Sequence, residues 1–200
     1  FVDAQKLNCL AAFAAKGGKV IYYKAFGWKD LENRVPASVD DYYVLFSQTK
    51  AITTVAFMTL VEQGLVAIDD KVADYFPEIS DQVVTKVNED GSYETRPVET
   101  PMTFVHLMSH TSGLNAGQVG AIRRAERAQM RRADVASGAE AGQRSFDADP
   151  RSGTLEDEMI KLAKYPLGFD PGSEWNYHIS TNMLAYMVER ISGKPLRQYV

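Results

Sequence analysis

The sequence predicts an α+β fold in which a single β-hairpin near the start is followed mostly by helices. Two apolar runs within residues 9–26 surround Gly17 and Gly18, and a glycine pair tolerates the positive φ angles of a tight hairpin turn. From residue 47 onward, several segments combine helical spacing with capping residues. Because one hairpin alone makes a poor sheet, we expect it to belong to an antiparallel sheet whose other strands lie outside this chain, either after Val200 or in a second chain.

The first predicted helix is strongly apolar. Residues 27–41, which precede it, are polar and mixed and predict a loop. Residues 47–63 contain neither proline nor glycine, and Gly64 supplies a helix stop. Apolar side chains cover nearly the whole circumference of this segment, which is typical of a buried helix. The sequence therefore predicts a central, buried helix that begins at Ser47.

Two shorter elements are expected next. Asp69 or Asp70 is suited to cap a short helix that ends before Pro77. Residues 80–100 are polar and contain an Asp-Gly pair, which predicts a turn or a short hairpin.

A long irregular stretch lies in the second half of the chain. A capped helix is expected from Thr103 to a break at Gly113. Residues 115–153 are the least regular part of the sequence and predict a surface excursion, or lid, of one incomplete domain that spans residues 1–200.

Two further helices are marked by their ends. Thr154 and Asp157 have the spacing of a capping box at the start of one helix. Ser180 or Thr181 is expected to cap the other, and Gly193 to close it.

Composition excludes several classes of protein. The chain has 200 residues, a net charge of -4 and no long run of one sign, so nothing indicates a nucleic-acid partner. No apolar stretch approaches the length of a membrane span. Cys9 is the only cysteine, so no internal disulfide forms; this slightly favours the cytoplasm and is also compatible with export.

Ser47 and Lys50 lie three residues apart at the start of the predicted buried helix. Such positions share one helix face, with Cβ atoms about 5–6 Å apart, so the lysine can reach the serine hydroxyl. A serine becomes a useful nucleophile when a neighbouring base takes its proton, and a free N–H at a helix start can bind an oxyanion. The plain alternative is a helix start followed by a surface lysine, since roughly one S-x-x-K is expected by chance in such a chain.

Tyr177 is the candidate for a third proton-binding group near this pair. It lies just before the helix expected at Ser180. A phenol has a reference pKa of about 10 and ionises more easily beside an ammonium group. The alternative is an ordinary half-buried tyrosine.

Several segments, in this order, resemble the serine β-lactamase-related family, which includes class C β-lactamases, DD-peptidases, esterases and acyltransferases. They read "FSQTK", "LVEQGLVAIDDKVADYFPE", "HLMSHTSGL", "PLGFDPGSEWNYHIS" and "ERISGKP". The resemblance runs from about Gly17 to Val200, is weakest at 115–153, and covers only the N-terminal part of the family pattern. It implies a β-lactamase/transpeptidase-like fold.

The resemblance also implies roles for individual residues. Ser47 matches the serine that becomes acylated, Lys50 the lysine one turn later, and Tyr177 the tyrosine of the family's Y-x-N or Y-x-S element. The segment "HTSGL" is frequent in the family, and we expect His110 there to be a loop anchor and Gly113 a turn residue, without chemistry.

Two departures from the family pattern bear on function. Ile179 stands where the β-lactamase form has asparagine, and this resembles the esterase branch. The third family motif, K-T-G or H-x-G, is missing after Tyr177, because "SGK" at 192–194 has the wrong order. That motif lies on a strand that completes the oxyanion hole in the family, so we expect a further segment or a second chain to supply it.

The leading functional hypothesis is a serine hydrolase that cleaves ester or amide bonds of a small-molecule acyl substrate through an acyl-enzyme on Ser47. Lys50 and Tyr177 would handle the proton together, with no metal or other cofactor. The alternatives are a β-lactamase- or DD-peptidase-type amide hydrolase, an acyltransferase, and a catalytically silent binding module of the same fold. A plain helical interaction protein with a chance motif is disfavoured by the ordered set of matches.

Overall fold

The computed structural model describes residues 6–88, 92–117, 119–120, 122–123 and 154–200. The chain forms two compact units, Phe1–Phe46 and Ser47–Val200. The surface excursion predicted at 115–153 lies largely outside the described residues and stays a prediction, as does the single incomplete domain.

The first unit is a three-stranded antiparallel sheet in the order β1-β2-β3. Its strands are β1 (Cys9–Lys16), β2 (Lys19–Asp30) and β3 (Val35–Pro36). Gly17 and Gly18 have φ angles of 56° and 73°, as the predicted hairpin turn requires. The hairpin is therefore confirmed.

The loop predicted at 27–41 is wrong at its beginning, where β2 continues to Asp30 and pairs with β3. The chain reverses in between because the Asp30 carboxylate accepts hydrogen bonds from the backbone and side-chain amides of Asn33, a turn that aspartate favours. The carbonyl of Gly27 then accepts a hydrogen bond from the N–H of Ala37 at 2.9 Å.

In the second unit, helix α1 spans Thr49–Glu62 and follows a short 3₁₀ turn, Phe46–Gln48. The prediction that the helix begins at Ser47 is thus two residues early, because Ser47 lies in the 3₁₀ turn. The predicted complete burial is also wrong within the described residues. One face, with Phe57 and Leu60, is fully buried, but Val55 on another face is 64% exposed.

Helix α2 (Val72–Tyr75) and a second antiparallel hairpin, β4 (Gln82–Val87) with β5 (Tyr93–Pro97), follow. Lys71, not Asp69 or Asp70, is the residue before α2. Asp70 instead stabilises the preceding turn, since its carboxylate accepts hydrogen bonds from the Ala67 N–H at 2.8 Å and the Tyr75 hydroxyl at 2.8 Å.

Four further helices with defined bounds follow in the second unit. They are α3 (Phe104–Met108), α4 (Leu155–Ala163), α5 (Ser180–Ser192) and α6 (Leu196–Tyr199). Helix α3 ends earlier than its predicted break at Gly113, because His110 turns the chain with a φ of 60°.

The predicted helix ends are largely confirmed. The capping box at Thr154 and Asp157 is present, and Gly193 closes α5 with a φ of 69°. Ile179, not Ser180 or Thr181, is the residue at the N-cap of α5. Ser180 is already part of the helix, and its hydroxyl pairs with that of Ser112.

Helix α5 lies at the centre of the second unit and packs against α1, α3 and α4. Its inner face is fully buried at Met183, Leu184 and Met187. Phe57 of α1 and Phe104 of α3 extend the same core, with ring centroids 4.7 Å apart. Among the described residues, no helix has the length and apolar character needed to cross a membrane.

Candidate active site

Ser47 and Lys50 are presented together at the start of α1. The Lys50 ammonium donates to the Ser47 hydroxyl, with Nζ and Oγ 3.4 Å apart. Ser47 is exposed and Lys50 half-buried. In the part of the chain that the structure describes, Lys50 forms no ion pair with a carboxylate. The ammonium of Lys50 therefore interacts with uncharged groups, such as the Ser47 hydroxyl.

Tyr177 reaches the same place from the segment before α5. Lys50 Nζ lies 4.8 Å from the centroid of the Tyr177 ring. Hydrogen bonds with Ser47, and then with Lys50, hold the pKa of the Tyr177 phenol below its usual range, and the positive charge of Lys50 acts in the same direction. The phenol is 46% exposed. The structure thus brings together all three residues singled out in the sequence.

The segment that carries Tyr177 is held by backbone hydrogen bonds to the segment after α3. Gly168, Gly172 and Asn176 donate their N–H groups to the carbonyls of Gly113, Thr111 and His110, at 2.8, 2.8 and 2.9 Å respectively. Residues 110–116 and 167–176 therefore form one unit, which we call the paired segments.

The glycines of the paired segments allow the two backbones to approach closely. A Cβ atom added at Gly113 would lie 2.3 Å from the carbonyl oxygen of Phe169, and one added at Gly168 would lie 2.3 Å from that of Ala116. Gly113 is thus more than the turn residue expected from the sequence: its lack of a side chain sets the spacing of the segment that carries Tyr177.

A buried pair of hydroxyls fixes the paired segments to α5. The hydroxyls of Ser112 and Ser180 are 2.8 Å apart, and both residues are fully buried. Buried hydroxyls are stable only when they are hydrogen-bonded, so this pair holds the start of α5, three residues after Tyr177, in register with the "HTSGL" segment.

A charged contact holds the other end of the Tyr177 segment. The guanidinium of Arg96, on β5, donates to both carboxylate oxygens of Asp170, and the backbone N–H of Glu99 donates to the same carboxylate at 2.7 Å. These donors hold the pKa of Asp170 below its usual range. The second hairpin therefore supports the candidate site, a role that sequence reasoning missed.

His110 also lies at the site, although the sequence indicated only a loop anchor. Its ring centroid is 4.8 Å from that of Tyr177 and 6.5 Å from that of Trp175. Burial, and then the nearby charge of Lys50, lower the pKa of its imidazole. The sequence indicated His110 only through the segment "HTSGL". Its spacing gave no sign that His110 would contact a tyrosine 67 residues later in the chain.

Polar side chains and a cavity lie beside Tyr177. Asn115 Nδ2 is 3.2 Å from His178 Nδ1, and the Arg123 guanidinium donates to Asn115 Oδ1 at 3.1 Å. A cavity of about 420 Å³ is lined by Val84, Thr85, Gly117, Gly168, Phe169, Glu174, Trp175 and Asn176. Trp175 also stacks on Tyr177, with ring centroids 6.2 Å apart, whereas Ser47, Lys50 and Tyr177 themselves do not line this cavity.

Ile179 faces inward in the structure. Its side chain packs against the hydrophobic core of the second unit, so the position that carries asparagine in the β-lactamase form offers no polar group here. Among the described residues, no group of three or more His, Cys, Asp or Glu side chains has the arrangement of a metal site.

The chain belongs to the Beta-lactamase family, which it matches over residues 1–200. It is similar to esterase EstB of Burkholderia gladioli, with 32% identity over 198 residues that cover 96% of this chain and 43% of that protein. It is 30% identical to the lovastatin esterase of Penicillium rubens, over 100% of this chain and 46% of that one.

Among solved structures, the chain resembles EstCE1, described as a hydrolase with promiscuous acyltransferase activity. The TM-score is 0.70 at 28% identity, over 99% of this chain and 46% of that one. The family resemblance and the β-lactamase/transpeptidase-like fold are thus confirmed. The chain spans less than half the length of each of these relatives.

Proposed function

We propose that the protein is a serine hydrolase that cleaves esters through an acyl-enzyme on Ser47. The observation that carries this proposal is the meeting of Ser47, Lys50 and Tyr177, in which hydrogen bonds from hydroxyl and ammonium favour the ionised phenol. The resemblance to two esterases supports a hydrolase of this class.

In the first half-reaction, Ser47 Oγ attacks the carbonyl carbon of the ester. Its proton passes to the Tyr177–Lys50 pair, and a tetrahedral oxyanion forms. The carbon–oxygen bond to the leaving alcohol then breaks, and the pair returns the proton to that alcohol. General acid–base transfer of this kind typically contributes about 10²- to 10⁴-fold in rate.

In the second half-reaction, water attacks the carbonyl carbon of the acyl-enzyme and gives a proton to the same pair. The bond between the carbon and Ser47 Oγ breaks, Ser47 recovers a proton, and a carboxylic acid leaves. The backbone N–H of Ser47 is the proposed first oxyanion donor, as a free N–H at the start of a helix.

The second oxyanion donor belongs to the strand that carries the family's third motif. We propose that this strand, with others of the same sheet, is supplied by a further segment or a second chain. Relatives about twice as long support this, as does the large exposed apolar surface of the hairpin described below. One such donor is worth about 10²- to 10³-fold in rate.

Esters are the proposed substrate class in preference to β-lactams. Ile179 offers no group to satisfy a substrate amide, and leaving a buried amide unpaired costs about 1–3 kcal/mol. The specificity constant for a nitrophenyl acyl ester is therefore expected to exceed that for a chromogenic cephalosporin, and the reverse order would contradict the esterase proposal.

Acyl transfer is a second candidate activity, favoured by the resemblance to a hydrolase with promiscuous acyltransferase activity. In this reaction an alcohol takes the place of water in the second half-reaction. Addition of a small alcohol to the ester assay would yield a new ester if this activity is present, and only carboxylic acid if it is not.

Covalent labelling tests the central proposal. A serine-reactive fluorophosphonate is expected to modify Ser47 in the complete protein, as read by peptide mass mapping. Ser47→Ala should lose both the label and ester hydrolysis, whereas Ser92→Ala, at an exposed serine in the turn between β4 and β5, should retain both. A label on any other serine would show that the assignment is wrong.

A further inference from the structure

We propose that His110 is a positioning residue for Tyr177: its imidazole packs against the phenol ring and fixes the place where the phenol oxygen meets Ser47 and Lys50. This inference rests on the proposed function, because it explains how the proton-handling tyrosine is kept in position.

Two unfavourable features meet at His110. Its φ of 60° lies in the left-handed region, which side chains with a Cβ atom rarely adopt. Its buried Nδ1 atom has no hydrogen-bond partner among the described residues, and an unpaired buried polar atom is unfavourable. Strained and unsatisfied residues often occur at functional sites.

His110 is linked to Tyr177 in two ways. The rings contact each other, with centroids 4.8 Å apart and planes inclined by 48°. The His110 carbonyl also accepts a hydrogen bond from the N–H of Asn176, the residue before Tyr177, at 2.9 Å. The backbone bond places the two side chains next to each other, and the ring contact then limits where the phenol can move.

Two requirements together explain why residue 110 is histidine: a left-handed backbone conformation and an aromatic ring. A loop anchor with left-handed backbone would be served by glycine or asparagine, which adopt this conformation more readily. A ring against Tyr177 would be served by phenylalanine or tyrosine. Histidine satisfies both, because it is aromatic and is enriched at positive φ.

The imidazole also leaves the charge of the site unchanged. Burial and the positive charge of Lys50 lower the pKa of His110, so the ring is neutral at neutral pH. The groups that face it are Lys50 from α1, and Trp175 and Tyr177 from the segment before α5. A neutral ring supports the phenol without competing with Lys50 for its negative charge.

Three variants separate the ring from the backbone requirement. His110→Asn keeps a residue that tolerates the left-handed conformation but removes the ring. His110→Phe keeps a ring of similar size without nitrogen atoms. Tyr177→Phe identifies the signal of Tyr177 among those of the other tyrosines of the protein. All are made in the complete protein, and circular dichroism checks that each is folded.

The first readout is the titration of Tyr177 in protein labelled with ¹³C at the tyrosine Cζ atom. In the wild-type protein and in His110→Phe, the Tyr177 pKa is expected to remain below its usual range. In His110→Asn it should rise towards the ordinary value, because the phenol is no longer held beside Lys50. A residue needed only for folding would change the melting temperature and leave this titration unchanged.

The second readout is ester hydrolysis. His110→Asn is expected to lower kcat about 10- to 100-fold with little change in KM, the range expected when a reacting group is slightly misplaced. Added to Tyr177→Phe, the same change should cost less than about twofold, because residues that act through one another are not additive.

An unchanged Tyr177 titration in His110→Asn would overturn the proposal, and so would an equal loss of kcat in the Tyr177→Phe background. If His110→Phe does not fold, the asparagine variant and the double mutant still decide. Failure of the proposed function is distinguishable, since it would appear as absent labelling of Ser47, whereas the titration of Tyr177 needs no turnover.

Discussion

Ser47, Lys50 and Tyr177 combine a hydroxyl, an ammonium and a phenol, none of which is an effective base at neutral pH by itself. Lys50 donates a hydrogen bond to Ser47, and both residues lower the pKa of the Tyr177 phenol. We propose that the three residues handle the proton as one unit, and this has consequences for mutations and for pH.

Lys50→Ala and Tyr177→Phe are each expected to lower kcat/KM for an activated ester by about 10²- to 10⁴-fold. If the pair works as one unit, as proposed, the double mutant should lose little more activity than the less active of the two single mutants. The measurement is a double-mutant cycle on kcat/KM. Additive losses would show that the two residues act independently.

The pH profile is a second prediction at the residue scale. Because the Tyr177 pKa is lowered, its phenolate forms at a lower pH than that of an ordinary tyrosine. If the phenolate accepts the Ser47 proton, kcat/KM should rise with pH and level off below pH ~10, the reference value for a phenol. In Lys50→Ala, measured with a sensitive ester, the rise of kcat/KM should occur at a higher pH than in the wild type. A rise at the same pH would show that Lys50 does not influence the titration of Tyr177.

The sequence singled out the three residues that the structure brings together, but not the residues that support them. Ser47 and Lys50 are predictable because a helix fixes the geometry of nearby residues, and Tyr177 through the family resemblance. His110, by contrast, meets Tyr177 through backbone hydrogen bonds between segments far apart in the chain. No spacing rule predicts such a contact, since it depends on tertiary pairing.

At the scale of elements, the paired segments depend on glycine for a steric reason that can be separated from backbone strain. Gly113 and Gly64 both have left-handed φ angles, 75° and 69°, but only Gly113 is crowded by other atoms. Gly64→Ala should therefore cost only the strain of the left-handed backbone, about 1–2 kcal/mol.

Gly113→Ala should cost about 3 kcal/mol or more, because overpacking adds to the strain, and it should lower kcat by displacing the Tyr177 segment. Urea unfolding and ester kinetics on both variants test this. Equal stability losses would indicate that the close approach to Phe169 is unimportant.

The contact of Arg96 with Asp170 predicts a dependence of stability on acid. Since the folded-state pKa of Asp170 is lowered, its stabilisation is present above the ordinary aspartate pKa of about 4 and is lost as pH falls through the lowered value. Asp170→Asn should remove about 1 kcal/mol at neutral pH, a modest value because Arg96 is partly exposed.

Unfolding of the wild type and of Asp170→Asn at several pH values is the measurement. The difference between them should shrink as the solution is acidified. A difference that grows on acidification would contradict the lowered pKa of Asp170.

Element boundaries were predicted best where a local signal fixes them, as at Thr154, Gly193 and the Gly17-Gly18 turn. The burial of α1 was predicted wrongly, because an apolar circumference shows what a helix can bury and not what lies against it. At residues 80–100 the sequence did not distinguish a turn from a short hairpin, because the exposed positions of β4 and β5 are mostly polar.

At the scale of the whole molecule, the exposed apolar side chains are notable. In the first unit, Phe13 and Ile21 are 62% and 66% exposed, on a sheet whose edge strands, β1 and β3, pair with no further strand among the described residues. In the second unit, Val55 and Met58 of α1 are exposed as well. Patches of this kind usually mark surfaces that another segment or chain covers.

We therefore expect residues 1–200, expressed alone, to aggregate or to bind a hydrophobic dye strongly, and to hydrolyse esters at least 100-fold more slowly than the protein with the proposed further strands. The rate difference follows from the second oxyanion donor, worth about 10²- to 10³-fold. Light scattering and kcat on both proteins are the measurements. A soluble monomer with full turnover would refute the proposed further strands.

The pairing of residues 110–116 with 167–176 finally determines how the candidate site can open and close again. The amide hydrogens of Gly168, Gly172 and Asn176 all lie in bonds between these two segments, so they should exchange with solvent deuterium as a group, when the segments separate. Helix α5, whose inner face is fully buried, should stay protected during that opening, because buried helices exchange through larger unfolding events. Tyr177 would then leave Ser47 and return within an otherwise folded molecule, and transient inactivation would need no global unfolding.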